Sequence, residues 1–329
     1  MPDQPISAAG STGLKLFRPG DAPYAELSWV GHQGVGEPHY ELLPGVPRKL
    51  DRYVTRLIAP NAGVMTGPGT NTWIVGESEL AVIDPGPEDA THVRAILAAG
   101  AGRIRWILCS HTHLDHASAA MTLQKATGAK IAAMAAPAGE HDVHPVLDRA
   151  LTDGDSVQLD GLSLRAVFTP GHASNHLCFL LEQTGMLFSG DHIMQGSTVV
   201  IAPPDGNMRR YLQSLQRLLA LDIQILAPGH GYLIGNPHAE AERLIQHRLA
   251  REGKVRQALA EAGGTATLES LLPRVYSDVS ARLYPLAMRS LQAHLDKLVE
   301  DGELSLSDGR YLNRPENGHP SRSGGREWL

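Results

Sequence analysis

The segment Ser110-His111-Thr112-His113-Leu114-Asp115-His116 places three imidazoles and one carboxylate between positions 111 and 116. Neutral imidazole and carboxylate are the ligand set suited to zinc and its divalent neighbours. The segment follows the apolar run 104–109, so a strand would deliver the cluster to one rim of a sheet. The pattern recurs at Thr169-Pro170-Gly171-His172, Ser189-Gly190-Asp191-His192 and Ala227-Pro228-Gly229-His230, after the apolar runs 162–168, 186–188 and 223–226. In each, a glycine beside the His or Asp lets the backbone turn tightly and aim a short side chain into a cleft. Upstream, the run 80–83 leads into Asp84-Pro85-Gly86-Pro87, a further carboxylate at a strand end.

The elements that must carry these residues follow from periodicity. Short β-type runs are expected at 53–58, 72–75 and 80–83, then a helix over 88–99 with Val93, Ile96 and Leu97 on its apolar face and Gly100 as its stop. After the strand 104–109 an amphipathic helix is expected over 117–127. Strand and helix continue to alternate as far as Leu226, with a helix over 208–221. Such alternation predicts a layered α/β architecture. From Pro237 the composition changes: helices are expected over 239–262, 268–275 and 287–299, then a hairpin turning at Asp308-Gly309. Three helices and a hairpin make a winged-helix-like domain. The division expected is 1–236 for the α/β domain, 237–315 for the winged-helix-like domain and 316–329 for a disordered tail; the first dozen residues are expected to be disordered too.

The chain has 329 residues, 42% of them hydrophobic and 19% charged, the balance of a soluble globular protein with room for two domains. Only Cys109 and Cys178 occur, so no disulfide framework is needed, and Cys109, inside an apolar strand, reads as core. No secretory signal and no apolar stretch of membrane-spanning length is visible, which predicts a cytoplasmic protein. The net charge of −6 gives no global attraction to nucleic acid. Between 254 and 314 there are eight basic and eight acidic residues, and the candidate recognition helix, 284–301, carries Arg289 and Lys297 against Asp296, Glu300 and Asp301. Groove binding requires several phosphate neutralisations, so sequence-specific DNA binding is not expected. Packing, walling a cleft or homodimerisation suits this domain better. His32, His39, His92, His141 and His144 read as surface residues.

The order Asp84, His111-x-His113-x-Asp115-His116, His172, Asp191, His230 resembles the five motifs of the metallo-beta-lactamase superfamily. The stretch from Thr169 to His176 resembles the T-P-G-H-T-x-G-H segment of the glyoxalase II branch, departing from it at Ala173 and Asn175. Thr70-Asn71-Thr72-Trp73-Ile74-Val75-Gly76, Gln246-His247-Arg248-Leu249-Ala250-Arg251-Glu252 and the C-terminal segment are similar to the beta-lactamase-like protein 2 group, which adds a winged helix. The resemblance implies an αββα sandwich followed by a winged helix. It also implies two divalent ions, zinc first with iron or manganese as alternatives. His111, His113 and His172 would hold one ion, Asp115, His116 and His230 the other, and Asp191 would bridge them. Adjacent Asp115 and His116 cannot both point where His111 and His113 point, which agrees with the division. A hydroxide bridging the two ions would be the nucleophile. Lowering a water pKa from 15.7 to about 7 is worth roughly 12 kcal/mol of preferential hydroxide stabilisation. Asp115 would also orient that hydroxide, and Asp84 would fix a ligand histidine or the cluster loop. His176 stands as either a substrate contact or a structural residue.

The leaving group separates the substrates. A thiolate departs without a proton, whereas an alkoxide or amine requires an acid, for which only His176 is a candidate. This favours a thioester or ester of a small molecule. The resemblance itself points to single-stranded RNA, since characterised members of that group are endoribonucleases, and Arg209, Arg210, Arg243, Arg248, Arg251 and Lys254 would have to line its path. A non-catalytic metal sensor is the third reading.

Overall fold

The computed structural model describes residues 42–137 and 143–314. The disorder expected at both ends, and His32, His39 and His141, lie outside the described residues. The described residues form two compact units, one of those between 42 and 199 together with Arg210–Ile245, the other of Val200–Arg209 and 246–314.

The first unit is built on two sheets. The strands β1 (Arg48–Lys49), β2 (Val54–Ile58), β3 (Asn71–Gly76), β4 (Leu80–Ile83), β5 (Ile104–Leu108), β6 (Lys130–Ala133) and β7 (Arg149–Ala150) pair in sequence order, antiparallel as far as β4 and parallel thereafter. The helices α1 (Ala90–Gly100), α2 (Leu114–Ala117) and α3 (Ala120–Thr127) fall in the parallel half. The expected helix 117–127 forms as α3 from Ala120 onward, preceded by the four-residue α2, which holds Asp115 and His116. Asp89 starts α1 by accepting the amides of Thr91 and His92 on Oδ1, which satisfies two of the donors a helix start leaves open.

The second sheet holds β8 (Ser156–Leu159), β9 (Leu162–Phe168), β10 (Leu177–Leu181), β11 (Met186–Gly190) and β12 (Ile225–Pro228), ordered β12-β11-β10-β9-β8. Here the expected alternation with helices fails, because β8 to β11 form an antiparallel run. The connections at Asp160-Gly161 and 182–185 are too short for a crossover helix, and hairpins are the only solution. The helix α4 (Met208–Leu218) then precedes β12, and α5 (Pro237–Glu261) follows it.

The inner faces of the two sheets share one core, in which Val54, Trp73 and Leu108 meet Leu164, Phe179 and Phe188. The Trp73 and Phe188 rings lie 5.7 Å apart across it. The other face of the first sheet packs Val82, Ile107 and Ile131 against Ile96 and Leu123 of α1 and α3. Each such fully buried aliphatic or aromatic side chain contributes about 1.5–3 kcal/mol. The αββα layering expected from the sequence is what forms. Cys109 lies in this second core, fully buried.

The second unit contains α6 (Leu268–Val275), α7 (Tyr284–Glu300) and a small sheet of β13 (Thr265–Ala266), β14 (Leu304–Ser307) and β15 (Arg310–Asn313). Thr267 and Ser270 cap α6 reciprocally. Asp308 and Gly309 both take positive φ, 51° and 71°, which a tight hairpin turn requires. Leu259, Leu271, Leu291, Leu295 and Tyr311 fill its core. Among the described residues no helix is long and apolar enough to cross a membrane.

Candidate metal centre

The ends of β4, β5, β9, β11 and β12 carry Asp84, Ser110, Thr169, Gly190 and Pro228, so four loops of one rim supply the candidate ligands and the fifth, after β4, supplies Asp84. Those loops are bonded to one another through the backbone. Leu177 N–H donates to Ser110 O at 2.7 Å, Gly229 N–H to Gly190 O at 2.8 Å, and Asn71 N–H to Gly229 O at 2.7 Å.

All seven candidate ligands from the sequence converge. His111, His113 and His172 form one trio, Asp115, His116 and His230 another, and within each trio the ligand atoms lie within 4.8 Å of one another. His113 Nδ1 is 2.9 Å from His111 Nε2 and 3.0 Å from His172 Nε2. His116 Nε2 and His230 Nε2 are 3.3 Å apart, and Asp115 Oδ2 lies 3.4 Å from the first and 3.3 Å from the second. Asp191 faces both trios, with Oδ2 at 3.6 Å from His172 Nε2 and Oδ1 at 3.3 Å from both His116 and His230 Nε2. That is where a carboxylate shared by two ions would stand.

The second ring nitrogens are occupied from behind. Ser110 gives its hydroxyl proton to Asp84 Oδ2 at 2.8 Å, so His111 Nδ1, 2.9 Å away, must donate to Ser110 Oγ. His116 Nδ1 pairs with Asp84 Oδ2 at 2.9 Å, and His230 Nδ1 with Gly69 O at 3.3 Å. With those partners, His111, His116 and His230 present Nε2 toward the centre, the arrangement of ligand histidines.

Glycine is required where the loops crowd together. A Cβ on Gly229 would stand 2.7 Å from Asp191 Oδ1 and 2.8 Å from His116 Cε1. Asp84 takes a left-handed φ of 51°, uncommon outside glycine, and so reaches back to accept Ser110 N–H on Oδ1 at 2.7 Å.

The electrostatics divide the cluster. Burial, reinforced by the neighbouring imidazoles, pushes His111 well below the ordinary histidine range and His113 to about 3. At His116 and His230 burial acts in the same sense but loses to the carboxylates. Asp115, Asp191 and Asp84 lift His116 well above its ordinary value, and Asp191 with Asp115 raises His230 to about 9. Burial opposes ionisation of Asp115 and Asp191 too, and the imidazoles overcome it, holding both well below the carboxylate range. Protons on His116 and His230 thus hold charge that divalent ions would replace. Asp191 Oδ1 is buried and meets the Nε2 atoms of His116 and His230 at 3.3 Å, a buried anionic oxygen placed where a cation would sit. The donor set fits two divalent ions.

His176 is placed differently. It is fully buried; Nε2 accepts Asp191 N–H at 3.2 Å and Nδ1 pairs with Thr169 Oγ1 at 2.8 Å. Burial and its imidazole neighbours hold it neutral. His192 is buried with its ring 5.1 Å from Tyr211. His92, expected at the surface, is fully buried on α1, because its face of the helix meets Gly86 and Thr72 rather than solvent. Ser110, Asn71 and Thr72 were not seen as site residues in the sequence. Asn71 Nδ2 donates to Pro228 O and Gly231 O, both at 2.9 Å, and so clamps the loop that carries His230. The sequence signals for them were the Thr70-Asn71-Thr72 run and, for Ser110, its place next to His111.

The model of the metallo-beta-lactamase superfamily matches residues 65–230, and that of the beta-lactamase associated winged helix domain matches residues 267–309. The chain is 30% identical over 280 residues to the beta-lactamase-like protein 2 homolog of Drosophila melanogaster, covering 81% of this chain and 94% of that protein. It is 30% identical over 285 residues to the atrochrysone carboxyl ACP thioesterase of Aspergillus fumigatus, covering 80% and 87%. A beta-lactamase domain protein from Burkholderia ambifaria has the same fold, with a TM-score of 0.71, 23% identity, and coverage of 84% of this chain and 96% of that one.

Proposed function

From the premise that this chain belongs to the metallo-beta-lactamase superfamily and is a hydrolase, we propose that it cleaves thioesters, or comparably activated esters, of small carboxylic acids with two divalent ions. His111, His113 and His172 would hold one ion and Asp115, His116 and His230 the other, with Asp191 between them. Bound there, the ions would supply a hydroxide bridging them at neutral pH and polarise the scissile carbonyl. Asp115, whose side chain is 29% exposed while His116 and His230 are closed off, faces the open side and orients the attacking water. Asp84 holds the His116 ring, and His176 holds the backbone of Asp191.

The observation that carries the substrate is the state of His176. Both its nitrogens are engaged and it is neutral, so the one acid the sequence offered cannot protonate a leaving group. A thiolate, with a conjugate-acid pKa near 8.5, needs no such proton. The thioesterase named above supports the same reading. For RNA, the basic residues that would line a path are largely engaged. Arg209 pairs with Glu300 and Asp301, Arg243 with Glu240, and both Arg251 and Lys254 with Asp278.

The test is turnover of an acyl thioester panel by metal-loaded protein, with Asp115→Ala as control and a labelled single-stranded RNA assayed in parallel. Thioester cleavage lost in the variant is the expected result. RNA cleavage without thioester turnover overturns the reading in favour of an endonuclease.

A further inference from the structure

Behind the second trio lies a buried relay that the chemistry above does not use. Thr72, the second residue of β3, donates its hydroxyl proton to Asp84 O at 2.7 Å. Its oxygen also lies 2.8 Å from His92 Nε2. A threonine has one hydroxyl proton and it is spent on Asp84, so His92 must be the donor from Nε2. His92 Nδ1 is left buried without a partner. Burial keeps the ring neutral, at about 4, against the opposing pull of Asp89. An apolar residue would pack this face of α1 without an unpaired ring nitrogen, so the imidazole is retained at a cost. The ring also presses on Gly86, where a Cβ would stand 3.0 Å from Nε2. Gly86 N–H in turn donates to His116 O at 3.0 Å, and Gly86 O accepts from Ala119 N–H at 3.1 Å.

We propose that Thr72 and His92 are positioning residues for His116, holding the Asp84-Pro85-Gly86 turn so that Asp84 meets the His116 ring while Gly86 meets its backbone. Thr72 fixes the carbonyl of a residue in left-handed conformation, which persists only where its surroundings determine it. Neither residue touches a candidate ligand, and the effect on the trio of His111, His113 and His172 is indirect. The inference rests on the two-ion reading above.

Metal-free full-length protein is titrated with cobalt(II) against a competing chelator, and the absorption spectrum reports ligand geometry at each equivalent. Thr72→Val keeps the shape and removes the hydroxyl, while Thr72→Ser restores it. His92→Met removes the donor, and His92→Gln supplies an amide near the position of Nε2. Thr72→Val and His92→Met should weaken one equivalent roughly tenfold, the range of partners behind a metal ligand, and leave the other within about threefold. The serine and glutamine variants should recover most of that loss. Wild-type binding of both equivalents in Thr72→Val overturns the proposal alone. Equal weakening of both equivalents, or no recovery in Thr72→Ser, assigns the pair to packing and overturns it too. A wild-type protein that binds fewer than two ions overturns the two-ion reading, and the proposal with it.

Discussion

His116 and His230 are the residues at which metal and proton compete. His230 is raised to about 9 by Asp191 and Asp115, against the effect of burial. In the metal-free protein a raised histidine stabilises the fold fully below its unfolded value of about 6.5 and loses that contribution as pH climbs through the folded value. Metal-free stability should therefore decline between pH 6.5 and about 9, while metal affinity rises over the same window as the proton becomes easier to displace. Calorimetric titration at pH 7.5 in buffers of different ionisation enthalpy should show proton release as both ions bind, with the share from His230 lost as pH rises through about 9. Absence of release at pH 7.5 would contradict the raised values. At this scale the ligands were legible because each candidate ligand motif ends an apolar run or opens beside a glycine. Ser110, Thr72 and His92 were not, because a hydroxyl or imidazole that acts through another residue carries no spacing of its own.

Among the elements, β3 has the largest hidden role. The chain where it opens reaches the rim: Thr70, just before it, bridges to His230, Asn71 clamps the loop after β12, and Thr72 supports the turn after β4. Asn71→Leu removes a buried amide that serves two carbonyls and leaves both unsatisfied. It should lower stability by about 1–3 kcal/mol, read as a reduced urea midpoint at unchanged slope. An unchanged midpoint would mean that the loop holds itself. The helix and strand positions were largely readable from period and caps, with α6 found at the expected residues. The antiparallel run β8 to β11 was misread as alternation with helices, although its short connections, with Gly161 and Gly185 at positive φ, were visible as turn signals.

For the molecule as a whole, ions that bind only the folded state must stabilise it. At a free concentration one hundred times Kd, each ion adds about 2.7 kcal/mol. For a unit of this size that corresponds to roughly 5–10 °C in melting temperature per ion, reversible by a chelator. A melting temperature indifferent to metal would contradict the cluster's role. In the second unit Lys297 of α7 is taken up by Glu252 and Asp301, consistent with a helix whose charges do not suit a DNA groove. By itself the sequence determined the ligand types, their order and the layered fold with its appended winged helix, since these follow from local spacing and hydrophobic period. Only the tertiary structure brought Ser110, Thr72 and Asn71 behind the candidate ligands, set His176 against the backbone of Asp191, and buried His92 behind Asp84. Those placements depend on contacts between residues 12 to 160 positions apart, which no local pattern encodes.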